Sequence, residues 1–259
     1  MSYECINLVV DGAVAHIKLN RPASLNAFNA QMRAELLSAL TAVDEDQNIR
    51  AVVLGAEGRM FSSGADLADG LGGAETIEQQ ILDEYAPALE KITNLNKPII
   101  AAVPGGVAGI GCAFAMACDL MVMADDAYLL LAFTNIALVP DGGVSWQLLR
   151  RMGYSRAFQA IVEGARLSAQ ECVDAGIASK LAPADQVDEV ALQWAAALSE
   201  RAPIALRETK KILLQALDVS YMETVALEAK AQNICVATQD AQEAVKAFME
   251  KRPAVFVGK

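Results

Sequence analysis

The chain has 259 residues, 54% of them hydrophobic and 20% charged, with a net charge of -11. That length suits one large α/β domain or a domain with a small appendage, and its apolar content excludes a disordered chain. The acidity, and the lack of any dense Lys/Arg cluster, exclude the phosphate-binding footprint of a nucleic-acid partner. The opening "MSYECINLVVDG" has neither a basic n-region nor a long apolar h-region, so the expected location is cytoplasmic. Cys5, Cys112, Cys118, Cys172 and Cys235 are odd in number and scattered, and His16 is the single histidine. They read as buried thiols in a reducing compartment, with no metal site. His16 sits on an alternating strand with nothing to pair it and reads as structural.

In chain order, "INLVVDGAVAHIKLN" predicts two short strands joined at Asp11-Gly12. A helix follows from about Asn29, an acceptable N-cap, with Met32, Leu36, Leu37 and Leu40 at helical spacing. "RAVVLGAEG" is a buried strand, an amphipathic helix occupies residues 76–93, and "PIIAAV" is the next strand. Between Lys97 and Asp119 lie 21 uncharged residues, long enough to raise a membrane span. Pro98, Pro104 and four glycines break it, so it reads as a buried strand, a turn and a buried helix, with no membrane partner. "DLMVMADD" and "AYLLLA" continue the strands, and everything beyond about residue 142 is mostly helical, with helix after helix from Pro203. Strands alternating with helices predict a mainly parallel, layered α/β core. Trp146 and Trp194 read as packing residues.

Two glycine bends could carry chemistry. "GRMFSSGADL", residues 58–67, presents Ser62, Ser63, Gly64 and Ala65 as a small-residue bend that lets another molecule approach the backbone; a tight surface turn is the plainer reading. "GGVAGIGCAFAMACD" places Gly109, Ile110 and Gly111 just before a buried helix, where free amides gain from the helix dipole. Its GxG is a poor dinucleotide fingerprint. Together the bends could aim two backbone donors at one oxygen, the construction of an oxyanion hole. A third feature is Asp141, the one charge in "AYLLLAFTNIALVPDGGVSW", where an apolar run makes a carboxylate costly. It could be an N-cap for a helix beginning at Gly142, a reactive group, or both.

"LNRPASLNAFN", "FSSGADL", "AAVPGGVAGIGCAFAMACDL", "LVPDGG" and "AFMEKRPAVF", in this order, resemble the crotonase, or enoyl-CoA hydratase/isomerase, superfamily over nearly the whole chain. The resemblance implies an α/β fold, a crotonase-like spiral of ββα turns, with an acyl-CoA-binding core over residues 1–200 and a helical C-terminal trimerisation region over 201–259. It also implies a homotrimer or a hexamer built as a dimer of trimers, an acyl-CoA thioester as substrate, and no cofactor beyond the coenzyme A that is part of that substrate. The family's oxyanion amides fall on Ala65 and Ile110, the second departing from the usual run of three glycines. The two glutamates of hydratases fall on Ala113 and Phe133, which can neither position water nor move its protons. Asp141 matches the aspartate of members that shift double bonds, and "AFTNIALVPDGGVSW" with the tail "FVGK" is most similar to ring-1,2-epoxyphenylacetyl-CoA isomerases.

The implied activity is therefore isomerisation of an acyl-CoA with Asp141 as the single base. In an apolar pocket its pKa should rise. A hydratase, a catalytically degenerate acyl-CoA binder, and a haloaryl-CoA enzyme using the aspartate as nucleophile are the alternatives; the last lacks a well-placed histidine. Ser24, Leu25, Ala27, Ser63, Asp66, Leu67 and Gly109 are the implied coenzyme A and substrate contacts, although Asp66 could simply brace its loop. Phe133, with Leu129 to Leu131, is an implied pocket wall. Phe248 and Lys251 are placed to meet a neighbouring subunit's ligand, with a solvated helix end the alternative for Lys251.

Overall fold

The computed structural model describes residues 3–259. Strands β1 (Ile6–Asp11) and β2 (Val14–Leu19) form the expected hairpin, but Asp11 pairs with Val14, so the turn is Gly12-Ala13, one residue later than expected. Helix α1 (Ala30–Glu45) starts where the sequence suggests, with the Asn29 side chain accepting the Met32 N–H at 2.9 Å. It buries Met32, Leu36, Ala39, Leu40 and Val43 along one stripe. Strand β3 (Ala51–Ala56) is buried at every residue, as a strand covered on both faces must be, and the short β4 (Met60–Ser62) follows.

Residues 77–93 are helical, as read, in three pieces: α2 (Ile77–Gln80), a π-helical turn (Ile81–Tyr85) and α3 (Ala86–Thr93). The uncharged stretch resolves into β5 (Ile99–Val103), β6 (Gly106–Ala108) and α4 (Ile110–Ala117). Strands β7 (Leu120–Ala124) and β8 (Tyr128–Leu130) come next, then α5 (Val144–Met152) and α6 (Tyr154–Val162). Two strands interrupt the region expected to be nearly all helix: β9 (Arg166–Ser168), before α7 (Ala169–Asp174), and β10 (Lys180–Ala182). The chain ends with α8 (Val187–Ser199), α9 (Pro203–Gln215), α10 (Tyr221–Val236) and α11 (Gln239–Glu250). Among the described residues no helix is long and apolar enough to cross a membrane.

The strands form two sheets, a larger one in the order β1-β2-β3-β5-β7-β10 and a smaller one in the order β4-β6-β8-β9. Among the described residues only the end pairs β1-β2 and β8-β9 are antiparallel. Successive chain segments lay one strand in the larger sheet and the next in the smaller: β3 then β4, β5 then β6, β7 then β8. This is the spiral of ββα turns, and it stacks the loops that leave the smaller sheet. Helix α8 packs across β2, β3, β5 and β7, burying the small side chains of Ala191 and Ala195. Trp194 packs against the same core, whereas Trp146 is 37% exposed with the Arg150 guanidinium 3.9 Å from its ring centre. The Trp146 packing expectation is thereby corrected: a polar, partly open helix face gives the ring a cation as partner.

Helix α9 is tied to the core through Lys210, which donates to Ile92 O at 3.1 Å and pairs with Asp119 at 2.9 Å. The tail returns to the body as well. The buried Asp240 carboxylate accepts the Val257 and Gly258 N–H groups, and Arg50 donates to Phe256 O at 2.8 Å. Among the described residues all five thiols are free and four are buried, as expected, whereas Cys235 is only half-buried. His16 is half-buried, 3.9 Å from Asp188, with burial holding its pKa below the ordinary value.

Candidate active site

The two glycine bends meet backbone to backbone. Gly64 (φ +102°) and Gly109 (φ +51°) both adopt a left-handed conformation. A β-carbon on Gly64 would stand 3.1 Å from Ala108 O and 3.6 Å from Gly109 Cα. Only glycine satisfies both the dihedral and the approach. The residues that follow these glycines are Ala65 and Ile110, and neither backbone N–H has an acceptor among the described residues. The reason differs at the two positions. Ile110 is the first residue of α4, where the amides have no intrahelical partner. Ala65 forms an isolated parallel bridge with Phe28 in which Phe28 N donates to Gly64 O at 2.8 Å and Asp66 N donates to Phe28 O at 3.1 Å. The bridge uses the groups on either side and leaves the Ala65 amide unused.

The segment 24–28 runs alongside this bend. Ser63 N donates to Leu25 O at 2.9 Å, and Ser63 Oγ lies 3.5 Å from Ser24 O. Ser24, Leu25, Ala27, Ser63, Asp66 and Gly109 are therefore gathered in one neighbourhood, while Leu67 turns outward at 82% exposure. Two residues hold the gathering together: Asn26, unmarked in the sequence, and Ser62, read there only as part of the small-residue bend. Asn26, fully buried with φ +55°, accepts from Arg21 N and donates to Glu57 O and Met60 O at 2.8–2.9 Å. Ser62 donates to Asn26 O at 2.8 Å and accepts the Gly64 N–H at 3.0 Å. The bracing reading of Asp66 is what the contacts support: its carboxylate pairs with Arg21 at 2.9 Å and accepts Ala68 N. Arg21 holds the Asp66 pKa below the ordinary carboxylate value.

Asp141 stands beside this pair of bends through its neighbour. A β-carbon on Gly142 would come within 2.5 Å of Ile110 Cδ1, 2.6 Å of Ala113 Cβ and 3.3 Å of Leu89 Cδ1. The Asp141 segment thus lies directly on the helix face that carries Ile110 and Ala113. The capping alternative is corrected: α5 begins at Val144, Gly143 occupies the cap position without a side-chain bond, and Asp141 contributes only its carbonyl, to Val144 N at 3.1 Å. Its Oδ1 is buried and has no hydrogen-bond partner. Burial pushes its pKa up to about 6, opposed only by its own backbone N–H. Tyr85 and Cys112 are close enough to sense its charge.

The remaining expected residues differ in exposure, and Leu130 lies against the second bend, where its carbonyl accepts the Gly109 N–H at 3.2 Å. Leu129 and Leu131 are fully buried, so they belong to the sealed core and line no open pocket; Leu130 alternates outward and is half-buried. Phe133, 5% exposed, starts a short 3-10 turn over Thr134–Ile136. Phe248 and Lys251 end α11, both exposed, and no hydrogen bond or ion pair links Lys251 to the bends within this chain. A cavity of about 350 Å³ is lined by Leu89, Thr93, Ala117, Gly142, Gly143 and Trp146 among others, and so reaches the backbone that follows Asp141.

Two unpaired amides from touching bends and a carboxylate with a buried, unpartnered Oδ1, on a spiral of ββα turns, define a crotonase-type chain. The enoyl-CoA hydratase/isomerase family model matches residues 10–259, and the chain belongs to that family. It is 36% identical over the full length of both chains to a Rhodobacter capsulatus protein named "Probable enoyl-CoA hydratase". It is 29% identical over 263 aligned positions, spanning both chains, to the trans-2-decenoyl-[acyl-carrier-protein] isomerase of Streptococcus mutans. A crystal structure of an enoyl-CoA hydratase from Bacillus anthracis superposes with a TM-score of 0.94 at 30% identity, covering 99% of this chain and 100% of that one. Hydratase is the more frequent word in the names of such relatives.

Proposed function

We propose that the protein is an acyl-CoA isomerase that moves a double bond, or opens a ring epoxide, in a CoA thioester with Asp141 as its single base. The observation that carries this reading is the buried, unpartnered Asp141 Oδ1 beside Ile110 and Ala113. In a 3-enoyl thioester the Asp141 carboxylate takes a proton from C2. The C–H electron pair passes into a dienolate whose oxygen accepts the Ala65 and Ile110 N–H groups. As the neutral Asp141 carboxyl returns the proton to C4, the C3–C4 π pair forms the new C4–H bond, the C1–C2 π pair shifts to make the C2–C3 double bond, and the oxyanion electrons restore the carbonyl. One carboxylate serves both steps, so glutamates at positions 113 and 133 are not needed. A base near pKa 6 is stronger toward an acidified C–H than an ordinary aspartate and is still ionised at neutral pH. Coenzyme A enters only as part of the substrate.

Hydration of 2-enoyl-CoA is the second reading, and the names of relatives favour it. The deciding assay follows purified protein and Asp141→Asn with 3-enoyl-CoA, 2-enoyl-CoA and epoxyphenylacetyl-CoA. Double-bond migration with a loss of about 10²- to 10⁴-fold in the variant is expected. A loss below tenfold would remove Asp141 as base, hydration without migration would favour the hydratase, and tight binding without turnover would favour a binder. Assembly into trimers, and location in the cytoplasm, belong to the same proposal. Tyr221, Phe248 and Met249, each at least 75% exposed on the C-terminal helices, supply apolar surface for assembly, which light scattering would measure.

A further inference from the structure

Helix α1 carries a cation that the proposed chemistry does not use. The Arg33 side chain is only 2% exposed, yet it lies on a helix whose sequence marks it as an ordinary polar position. Burying a guanidinium is costly unless its donors are matched. Here Nη2 pairs with Asp69 at 3.3 Å and with Glu84, while Nη1 donates to Phe28 O at 3.0 Å and to Tyr85 Oη at 3.2 Å. The Nε–H remains buried without a partner. A β-carbon on Gly72 would come 2.5 Å from Nη2, so the loop closes tightly over the cation.

What Arg33 grips is the frame of the Ala65 amide. The Phe28 carbonyl that receives Nη1 is the same one that receives Asp66 N, and Phe28 N holds Gly64 O. The Asp69 carboxylate that pairs with Nη2 also accepts Ala30 N at 2.8 Å, and Asp69 N donates to Asp66 O at 3.0 Å. One guanidinium therefore fixes the bend on both sides of residue 65. Phe28 extends the connection to the other donor: its ring stacks on Phe114 with centres 4.4 Å apart, and Phe114 is one helical turn beyond Ile110 on α4. Tyr85 packs at 6.4 Å against both rings.

We infer that Arg33 is a positioning residue that, through the Phe28 carbonyl and Asp69, sets the position of the Ala65 N–H relative to the Ile110 N–H. This rests on the oxyanion reading of those two amides. Arginine suits the role because its fork spans two sets of acceptors, which a lysine ammonium cannot match in geometry.

The test uses 2-hexenoyl-CoA labelled with ¹³C at C1, bound to Asp141→Asn so that turnover is suppressed, with the thioester carbonyl stretch read by isotope-edited infrared spectroscopy. Two aligned donors lower that frequency. The downshift should be present with Arg33 intact, mostly lost in Arg33→Met and partly restored in Arg33→Lys. In the Asp141 background, Arg33→Met should lower kcat about 10- to 100-fold with KM changed less than threefold, since a donor that strengthens in the transition state acts on kcat. If Arg33→Met does not fold, Arg33→Lys carries the test well below its own melting temperature, with a reduced downshift and kcat expected. A full downshift and a kcat within twofold of the parent in a folded Arg33 variant would overturn the positioning role. Absence of any downshift with Arg33 intact would instead overturn the donor assignment itself, and this inference with it.

Discussion

Replacing Asp141 by Asn should do opposite things to activity and to stability, and the stability effect should depend on pH. In the folded chain the Asp141 pKa is about 6, against an ordinary value of 3.8, so the native state holds this proton more tightly than the unfolded state does. Stability contributed by the protonated form is present below the unfolded pKa and is lost as pH rises through the folded one. Between pH 4.5 and 7.5 the linkage amounts to about 1.4 pK units, or about 2 kcal/mol. Asn abolishes this titration, and the constant cost of burying its amide cancels when the two pH values are compared. The stability of Asp141→Asn relative to the parent should therefore move by about 2 kcal/mol in the variant's favour from pH 4.5 to 7.5. For a chain of this size that is a relative melting shift of about 4–8 °C. Differential scanning fluorimetry at both pH values measures it, on the same preparations used for kinetics. A relative shift near zero, or one in the opposite direction, would refute the buried, unpartnered carboxylate; an ion-paired or capping aspartate gives that opposite sign.

The same titration predicts that kcat/KM for double-bond migration rises with pH and levels off above about 6, as the base ionises; a pH–rate profile of the free enzyme checks it. Gly142→Ala should be destabilised by about 1–3 kcal/mol and lose more than tenfold in activity, because its β-carbon would meet Ile110 Cδ1 and Ala113 Cβ at 2.5–2.6 Å and its φ is +58°; urea unfolding and the migration assay read both effects. Ser62→Ala should cost about 1–3 kcal/mol, since it orphans Gly64 N and Asn26 O in a buried setting, and should lower kcat by loosening the residue before Ala65. Asp240→Ala releases the Val257 and Gly258 N–H groups and should speed proteolytic trimming of the tail, read by mass spectrometry, with kcat at 25 °C unchanged.

Elements with a long hydrophobic period were legible in the sequence. The Asn29 cap, the stripe on α1 and the glycine- and proline-broken stretch from β5 to α4 all follow local rules, and the structure agrees. Of the smaller sheet only β8, read from "AYLLLA", was legible. Strands β4, β6 and β9 have three residues each, too few for alternation to register, and they exist because the spiral brings their edges together. Whether Asp141 caps a helix was left open by the sequence: Pro-Asp-Gly-Gly suits a helix start, but the backbone turns through Gly142 and Gly143 before helix geometry begins. Arg33 shows the boundary most sharply. Nothing within a helical turn distinguishes it from a solvated arginine, and its burial is imposed by Asp69, Glu84 and Tyr85, brought in from 36 to 52 positions away.

The departures from the hydratase pattern are physically connected. Ala113 is more than a missing glutamate: its β-carbon and Ile110 Cδ1 form the surface on which Gly142 rests, and a longer side chain at 113 would collide with that backbone. An isoleucine at 110 and an alanine at 113 make this face of α4 apolar, and that face helps keep water from Asp141 Oδ1, which has no donor among the described residues to replace it. On the proposed function, the absence of one acid/base group and the tuning of another are thus two consequences of one packing arrangement. It follows that Ala113→Glu should not simply add back a hydratase group. The new side chain must displace Gly142, and its charge near Asp141 would push that carboxyl still further up. The variant should lose isomerase activity and show an apparent kinetic pKa above about 6. Retention of the parental pH profile would mean that the face around residue 113 does not set the base.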